Sequence, residues 1–374
     1  MKRRDALRRM AASSAVLALP ALAQPRPLVL GQSAALSGPA AQLGIQMQAG
    51  ARIFFNALNA GGGVHGTPVE LRALDDGYEP DRCKANTEKF IRDEVFGLFG
   101  YVGTPTSLAA LPLVVDSKIP FFGPFTGAEA LRDPMHRSVF HLRASYYDET
   151  ALIVRQLTSL GLNKIGVFYQ NDAYGKAGLE GVSRALKAQG LAPVALGTVE
   201  RNSVDVAKAV ADINAKKPDA VVQIGAYKAC AAFIRGARKA GYGGTFFNVS
   251  FVGTQALADE LGKEAEGIVV SQVMPSPFST ASAISREYIE AVAKAGGGAT
   301  PNYSSMEGYL AAKVLAEGLR RAGKAPSREA LVSGLESMQN VSFGGFNVAF
   351  GPASHVASRF VDLSMLTKDG KVRR

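Results

Sequence analysis

Tryptophan is absent from this 374-residue chain, cysteine occurs twice and histidine four times. These scarcities exclude whole classes of chemistry. Cys83 and Cys230 form no C-x-x-C pair, and His65, His136, His141 and His355 form neither H-x-x-x-H nor H-E-x-x-H. No metal site and no cofactor is therefore expected. A phosphate-binding G-x-x-x-x-G-K-[ST] loop and a G-x-S-x-G nucleophile elbow are missing as well. GGGVHG at 61–66 matches G-x-G-x-x-G in letters only. A helical pattern precedes it and a strand follows, the reverse of a dinucleotide turn, so these glycines end a helix. Acids are outnumbered by bases, 32 against 42. The basic residues are scattered over helix surfaces without a stripe of interleaved aromatics, which argues against nucleic-acid binding.

Long hydrophobic runs are also lacking. The apolar stretch AASSAVLALPALA at 11–23 is too short to span a bilayer and contains Pro20. It follows the basic start MKRRDALRRM and ends in Ala21-Leu22-Ala23, a small-residue cleavage site. Residues 1–24 thus read as an export signal that is removed. Arg3-Arg4 also matches a twin-arginine signal, so both export routes stay open. The segment carries five basic side chains against Asp5, a net of +4, so removing it lowers the chain from +10 to +6. The mature protein is expected to be soluble and periplasmic, acting as a monomer.

What remains is ordinary globular material. Hydrophobic residues make up 47% and charged residues 20%, enough for real cores, and the length suggests two domains. Strand-like and helix-like runs alternate from residue 28 to 273. Near-continuous apolar strands such as AVVQI and GIVVSQV suit parallel sheets covered by helices on both faces. After Val273 the alternation changes: helices are predicted at about 283–295, 304–321 and 327–337, and β-like segments at 346–350 and 359–367. The fold class expected is α/β, with two doubly wound parallel-sheet lobes joined by a hinge of three crossings near Arg143, Pro275 and Val341. Lobe one would comprise 25–143 plus 275–340, and lobe two 144–274 plus 341–374. The two cysteines then fall in different lobes and should be buried thiols.

In open parallel sheets, ligands bind beyond the strand C-termini, where helix N-termini bare their amides. Six such ends read SAALSG (33–38), GYVGTPTS (100–107), GPFTG (123–127), QNDAYG (170–175), GAYK (225–228) and NVSFVG (248–253). Each combines small residues with a hydroxyl or an aromatic, which a shared pocket explains better than six unrelated turns. In IPFFGPFTGAEAL (119–131), the strand ends at Gly123-Pro124 and a helix is expected to start at Ala128, aiming its positive end at 125–127. Asp75-Asp76 at a strand end could serve acid chemistry, but Asp-Asp-Gly-Tyr reads better as a turn. No catalytic set is evident.

The ordered series SAALSGP, QMQAGARIFFNALNAGGGVHGTPVEL, DDGYEPDRCKANTEKFI, GYVGTPTS, IPFFGPFTGAEAL, RASYYDE, KIGVFYQNDAYGKAGLEGV and KPDAVVQIGAYKACAAFIRGARKAGY resembles the periplasmic substrate-binding proteins of branched-chain amino acid ABC transporters. The likeness covers nearly all of the chain after the signal. It implies a type I periplasmic binding fold holding a small carboxylate between lobes, and an inner-membrane ABC permease as partner. A ligand sensor of the same fold, signalling to a membrane receptor, is the alternative. By matching positions, Thr104 and Phe125, Thr126 and Gly127 would meet the carboxylate, and Tyr174 and Tyr227 would supply lobe-two aromatics. Ser37, Tyr101 and Tyr147 complete the expected set. Ser250 stands where the resemblance implies an acid for the ligand ammonium. Either Asp148, Glu149 or Asp172 substitutes, or the tyrosine faces hold a cation, or the ligand carries no amine. Tyr78 and Gly103 stand where the resemblance implies a lobe-one disulfide.

Overall fold

A computed structural model of the protein describes residues 26–373. The expected signal at 1–24 lies outside the described residues. The first sheet contains β1 (Leu28–Ala34), β2 (Val69–Asp75), β3 (Gly97–Phe99), β4 (Phe121–Phe122) and β5 (Val139–Phe140). Its order is β2-β1-β3-β4-β5, with every pair parallel. Helices α1 (Ala41–Ala60), α2 (Pro80–Arg92) and α3 (Thr104–Ser117) make its crossovers. Between the sheet and helices α2 and α3 lies a core of Phe90, Leu98, Tyr101, Val114 and Phe121, with Cys83 inside it.

The chain then leaves through His141–Ser145 (141–145) into α4 (Tyr146–Ser159). The second sheet follows: β6 (Ile165–Gln170), α5 (Ala173–Lys187), β7 (Ala195–Val199), α6 (Ala207–Asn214), β8 (Ala220–Ile224), α7 (Tyr227–Lys239), β9 (Thr245–Asn248), α8 (Thr254–Leu261) and β10 (Val269–Gln272). The AVVQI strand, β8, is buried throughout and sits between β9 and β6, as a two-sided apolar run requires. Strand β7 alternates buried and exposed residues because it forms the edge. Cys230 is buried behind this sheet, and burial pushes the pKa of both thiols far up, leaving them unreactive.

Helices α9 (Ala283–Ala295), α10 (Tyr303–Arg321) and α11 (Arg328–Glu336) return to the first lobe. Helix α10 lies against α1 so closely that a Cβ on Gly50 would sit 1.8 Å from the Ser305 carbonyl oxygen, and one on Gly308 would sit 2.0 Å from that of Met47. Two helix backbones meet there with no side chain between them.

One expectation is corrected. The chain does not cross to the second lobe at Val341. Strands β11 (Val341–Phe343) and β12 (Phe346–Val348) form a separate hairpin. Beyond it, Phe350 packs on Phe122 and Phe140, and the His355 ring stacks on Phe140 at 3.8 Å. These rings complete the apolar edge of the first sheet, and His355 also reaches the Val139 carbonyl. The chain enters the second sheet only at β13 (Asp362–Leu366). The second sheet is parallel through β7, β6, β8, β9 and β10, as expected, and carries an antiparallel margin: β13 pairs with β10, and β14 (Val372–Arg373) with β13. An antiparallel margin on a parallel sheet is common.

Gly50→Ala should destabilise the protein by about 3 kcal/mol, since neither backbone can yield to the added methyl. Gly243→Ala, where nothing lies within 4 Å of the new atom, should change stability by less than about 0.5 kcal/mol. Urea unfolding of the two variants checks the contrast.

Candidate functional site between the lobes

The C-terminal ends of both sheets face one another, and the two lobes touch along them. Strand β4 ends at Gly123-Pro124, and the chain passes through Phe125, Thr126 and Gly127. The helix expected from Ala128 is only a three-residue 3-10 turn, Glu129–Leu131, so it supplies no useful dipole. Pro134, which has no amide to continue a helix, follows closely. Arg132 holds this turn instead, donating to the carbonyls of Ala128 at 2.9 Å, Thr126 at 3.3 Å and Arg143 at 3.2 Å. The helix dipole at the site comes from α3, whose first residue is Thr104. Thr104 and Thr126 join their hydroxyls at 2.6 Å, and the Tyr146 hydroxyl lies 3.4 Å from that of Thr126. Gly127 is required for this closeness, because a Cβ there would come within 2.7 Å of the Tyr146 amide and ring.

From the second lobe come Tyr174 at the start of α5, Tyr227 at the start of α7, and Ser250 and Phe251 after β9. The Asp172 carboxylate caps α5 by accepting from the Tyr174 amide at 2.9 Å, which fixes where that ring begins. Phe251 projects between the lobes, with ring centroids 4.6 Å from Tyr174, 5.6 Å from Phe125 and 5.9 Å from Tyr78. The Tyr227 hydroxyl meets the Gln42 backbone amide across the cleft. At the rim, Arg201 and Asn202 reach the Glu79 carboxylate at 2.9 and 2.7 Å. The lobes are therefore closed on each other. Tyr78 and Gly103 do face one another, as a Cβ on Gly103 would lie 2.2 Å from the Tyr78 ring.

Beneath Ser250 lies a buried charge cluster. The Arg143 guanidinium donates to the Ser250 hydroxyl at 3.0 Å and pairs with Glu307 of α10 through two nitrogens, each at 3.0 Å. It also stacks over the Phe125 ring at 4.5 Å. The Glu149 carboxylate accepts from the Ser250 amide at 2.7 Å and from the hydroxyls of Ser250 and Ser271 at 3.0 and 2.5 Å. Two carboxylates thus share one guanidinium. Burial raises the pKa of both, that of Glu307 to about 7, against the pull of Arg143.

Of the residues expected from the sequence, Thr104, Phe125, Thr126, Gly127, Tyr174, Tyr227 and Ser250 are brought together here, buried. Three are not. Tyr101, two residues past the end of β3 at Phe99, lies in the first-lobe core, with its ring on Phe121 and its hydroxyl on Thr87. Tyr147 lies under Arg184 on the outer side of α4, and its neighbour Tyr146 takes the inward position. Ser37 is exposed and bonded to Asp75 at 2.6 Å. Sequence reasoning missed Tyr78, Arg143, Tyr146, Glu149 as a partner of Ser250, Phe251 and Glu307. Phe251 was next to a chosen residue, and helix phase could have separated Tyr146 from Tyr147. Nothing local links Arg143 to Glu307, which is 164 positions away.

A family model described as periplasmic binding protein matches residues 27–371. The chain belongs to the periplasmic binding protein family. Within it, the fold is that of the Leu/Ile/Val-binding type. "Leu/Ile/Val-binding protein homolog 7" of Brucella suis biovar 1 (strain 1330) is 26% identical over 312 residues, covering 78% of this chain and 76% of that protein. The crystal structure of a possible leucine/isoleucine/valine-binding protein from Rhodopirellula baltica SH 1 superposes with a TM-score of 0.90 at 36% identity, over 94% of this chain and 96% of that one. A substrate-binding periplasmic protein from Ralstonia solanacearum gives 0.88 at 32% identity, over 92% and 99%. These relatives are binding proteins and not enzymes, and so is this periplasmic binding protein. No helix among its described residues is long and apolar enough to cross a membrane.

The binding protein's stability should depend on pH through Glu307. A carboxyl whose folded pKa is raised costs nothing below its ordinary value of 4.5, and its penalty grows as pH climbs through about 7. Melting temperature should therefore fall over that window, with a loss of up to about 3 kcal/mol. Glu307→Gln should flatten the fall, as calorimetric scans at stepped pH would show.

Proposed function

We propose that this protein is the solute receptor of an ABC importer. It binds one small carboxylate between its lobes, closes on it by hinge motion and presents the closed form to an inner-membrane permease. A cleaved N-terminal signal, of twin-arginine or general type, delivers it to the periplasm, where it acts as a monomer. One observation carries this reading: seven residues from both sheets, Thr104, Phe125, Thr126, Gly127, Tyr174, Tyr227 and Ser250, converge at one buried meeting of strand ends. The names of the Brucella and Rhodopirellula relatives support a small carboxylate as the ligand class. Thr104 and Thr126 hydroxyls and the first amides of α3 suit an anion. The second lobe closes its aromatic side chains over it, and the exclusion of water strengthens the hydrogen bonds inside.

Small molecules released from purified, denatured protein should include a carboxylate detectable by mass spectrometry. Added back at about 100 times its Kd, that compound should stabilise the fold by about 2.7 kcal/mol. Thr126→Val should weaken calorimetric affinity about 10- to 100-fold, and Tyr174→Ala at least tenfold. Unchanged affinity in both variants would remove the site from consideration.

A further inference from the structure

The cleft is rich in donors and has no uncommitted acid. Each carboxylate near it already has its partners. Glu307 is engaged by two nitrogens of Arg143, and Glu149 by the Ser250 amide and two serine hydroxyls. Asp172 caps α5, accepts from Gln170 at 2.6 Å and lies 3.5 Å from Arg201. Asp148 closes the capping box of α4 with Ser145. Glu79 is held by Arg201 and Asn202. Asp76 accepts from Ser33 and from the Tyr78 amide.

The cationic side is different. Arg143 is 1% exposed, yet its Nη1 has no hydrogen-bond partner. Its guanidinium lines a small buried hollow of about 10 Å³ with Phe125, Ser250, Gln272, Ser304 and Glu307, next to the Thr126 turn. An ammonium group brought to Ser250 would aim its N–H donors at the Nη1 donor and find no free acceptor there, which leaves buried donors unpaired on both sides. A carbonyl or hydroxyl oxygen at the same place would instead accept from the free N–H.

We infer that the ligand is a carboxylate without an ammonium group, carrying an oxygen acceptor on the carbon beside the carboxylate, which Arg143 Nη1 recognises. The inference rests on the receptor reading above. The carboxylate occupies the α3 end with Thr104 and Thr126, and the neighbouring oxygen turns toward Arg143. Glu307 and Glu149 keep that guanidinium in place.

Matched pairs test this on the unmodified, ligand-stripped protein by titration calorimetry at pH 7: 4-methyl-2-oxopentanoate against L-leucine, and phenylpyruvate against L-phenylalanine. Each pair differs at the α carbon, oxo group against amine. In at least one pair the oxo acid should bind at least about 100-fold more tightly than the amino acid. Equal or tighter binding of the amino acid in the pair that binds overturns the inference and leaves the receptor reading standing. Binding by neither pair overturns the inference unless the released molecule is itself a carboxylate with an oxygen and no ammonium on the α carbon, and binding by neither with no carboxylate released overturns the receptor reading too.

Discussion

One guanidinium has to serve both lobes. Arg143 leaves the first sheet on the first crossing, pairs with Glu307 from a late first-lobe helix and donates to Ser250 at the tip of a second-lobe strand. Glu149, on the first turn of the second-lobe helix that follows, holds Ser250 from behind. Removing such charges from water is expensive, and breaking a buried pair leaves that cost uncompensated. Ser250 and Glu307 supply the pairing here, and Nη1 is the nitrogen left over. The cluster therefore ties the end of β9 to α10 in the closed arrangement of the two lobes.

The rest of the site is arranged around that fixed point. Arg132 binds the carbonyls of the Thr126 turn and of the hinge strand, so the turn cannot drift from Arg143. Gly127 lets Tyr146 close in, and Tyr146 leads to Tyr174 at 5.4 Å between ring centroids. Phe251 fills the space between Tyr78, Phe125 and Tyr174. A packed, ring-lined interior of this kind excludes water, and hydroxyl and amide donors gain strength there. Specificity then follows from which polar groups are already paired and which are not.

The regular elements were legible because they obey local rules. AVVQI reads as a two-sided buried strand, and Gly61 to Gly66 as a helix stop, from period and turn chemistry alone. The loops that carry Thr104, Thr126, Tyr174, Tyr227 and Ser250 were legible because strand C-termini in parallel sheets open on one side, and the family resemblance singled out those residues within them. Misreadings arose where one residue of phase matters. Tyr101 sits just past a short strand and turns into the core, and Tyr147 sits one place beyond the inward position on α4. The segment after Val341 misled for another reason: Phe350 and His355 satisfy a first-sheet edge that no local pattern announces.

The sequence by itself determined two α/β lobes, the side on which their loops gather and the polar character of those loops, since periodicity and turn residues act over a few neighbours. Only the tertiary structure decided that Arg143 meets Glu307, that Glu149 stands behind Ser250 and that Phe251 enters the cleft. Those contacts join positions more than 100 residues apart, and their geometry is set by the packing of whole helices on whole sheets.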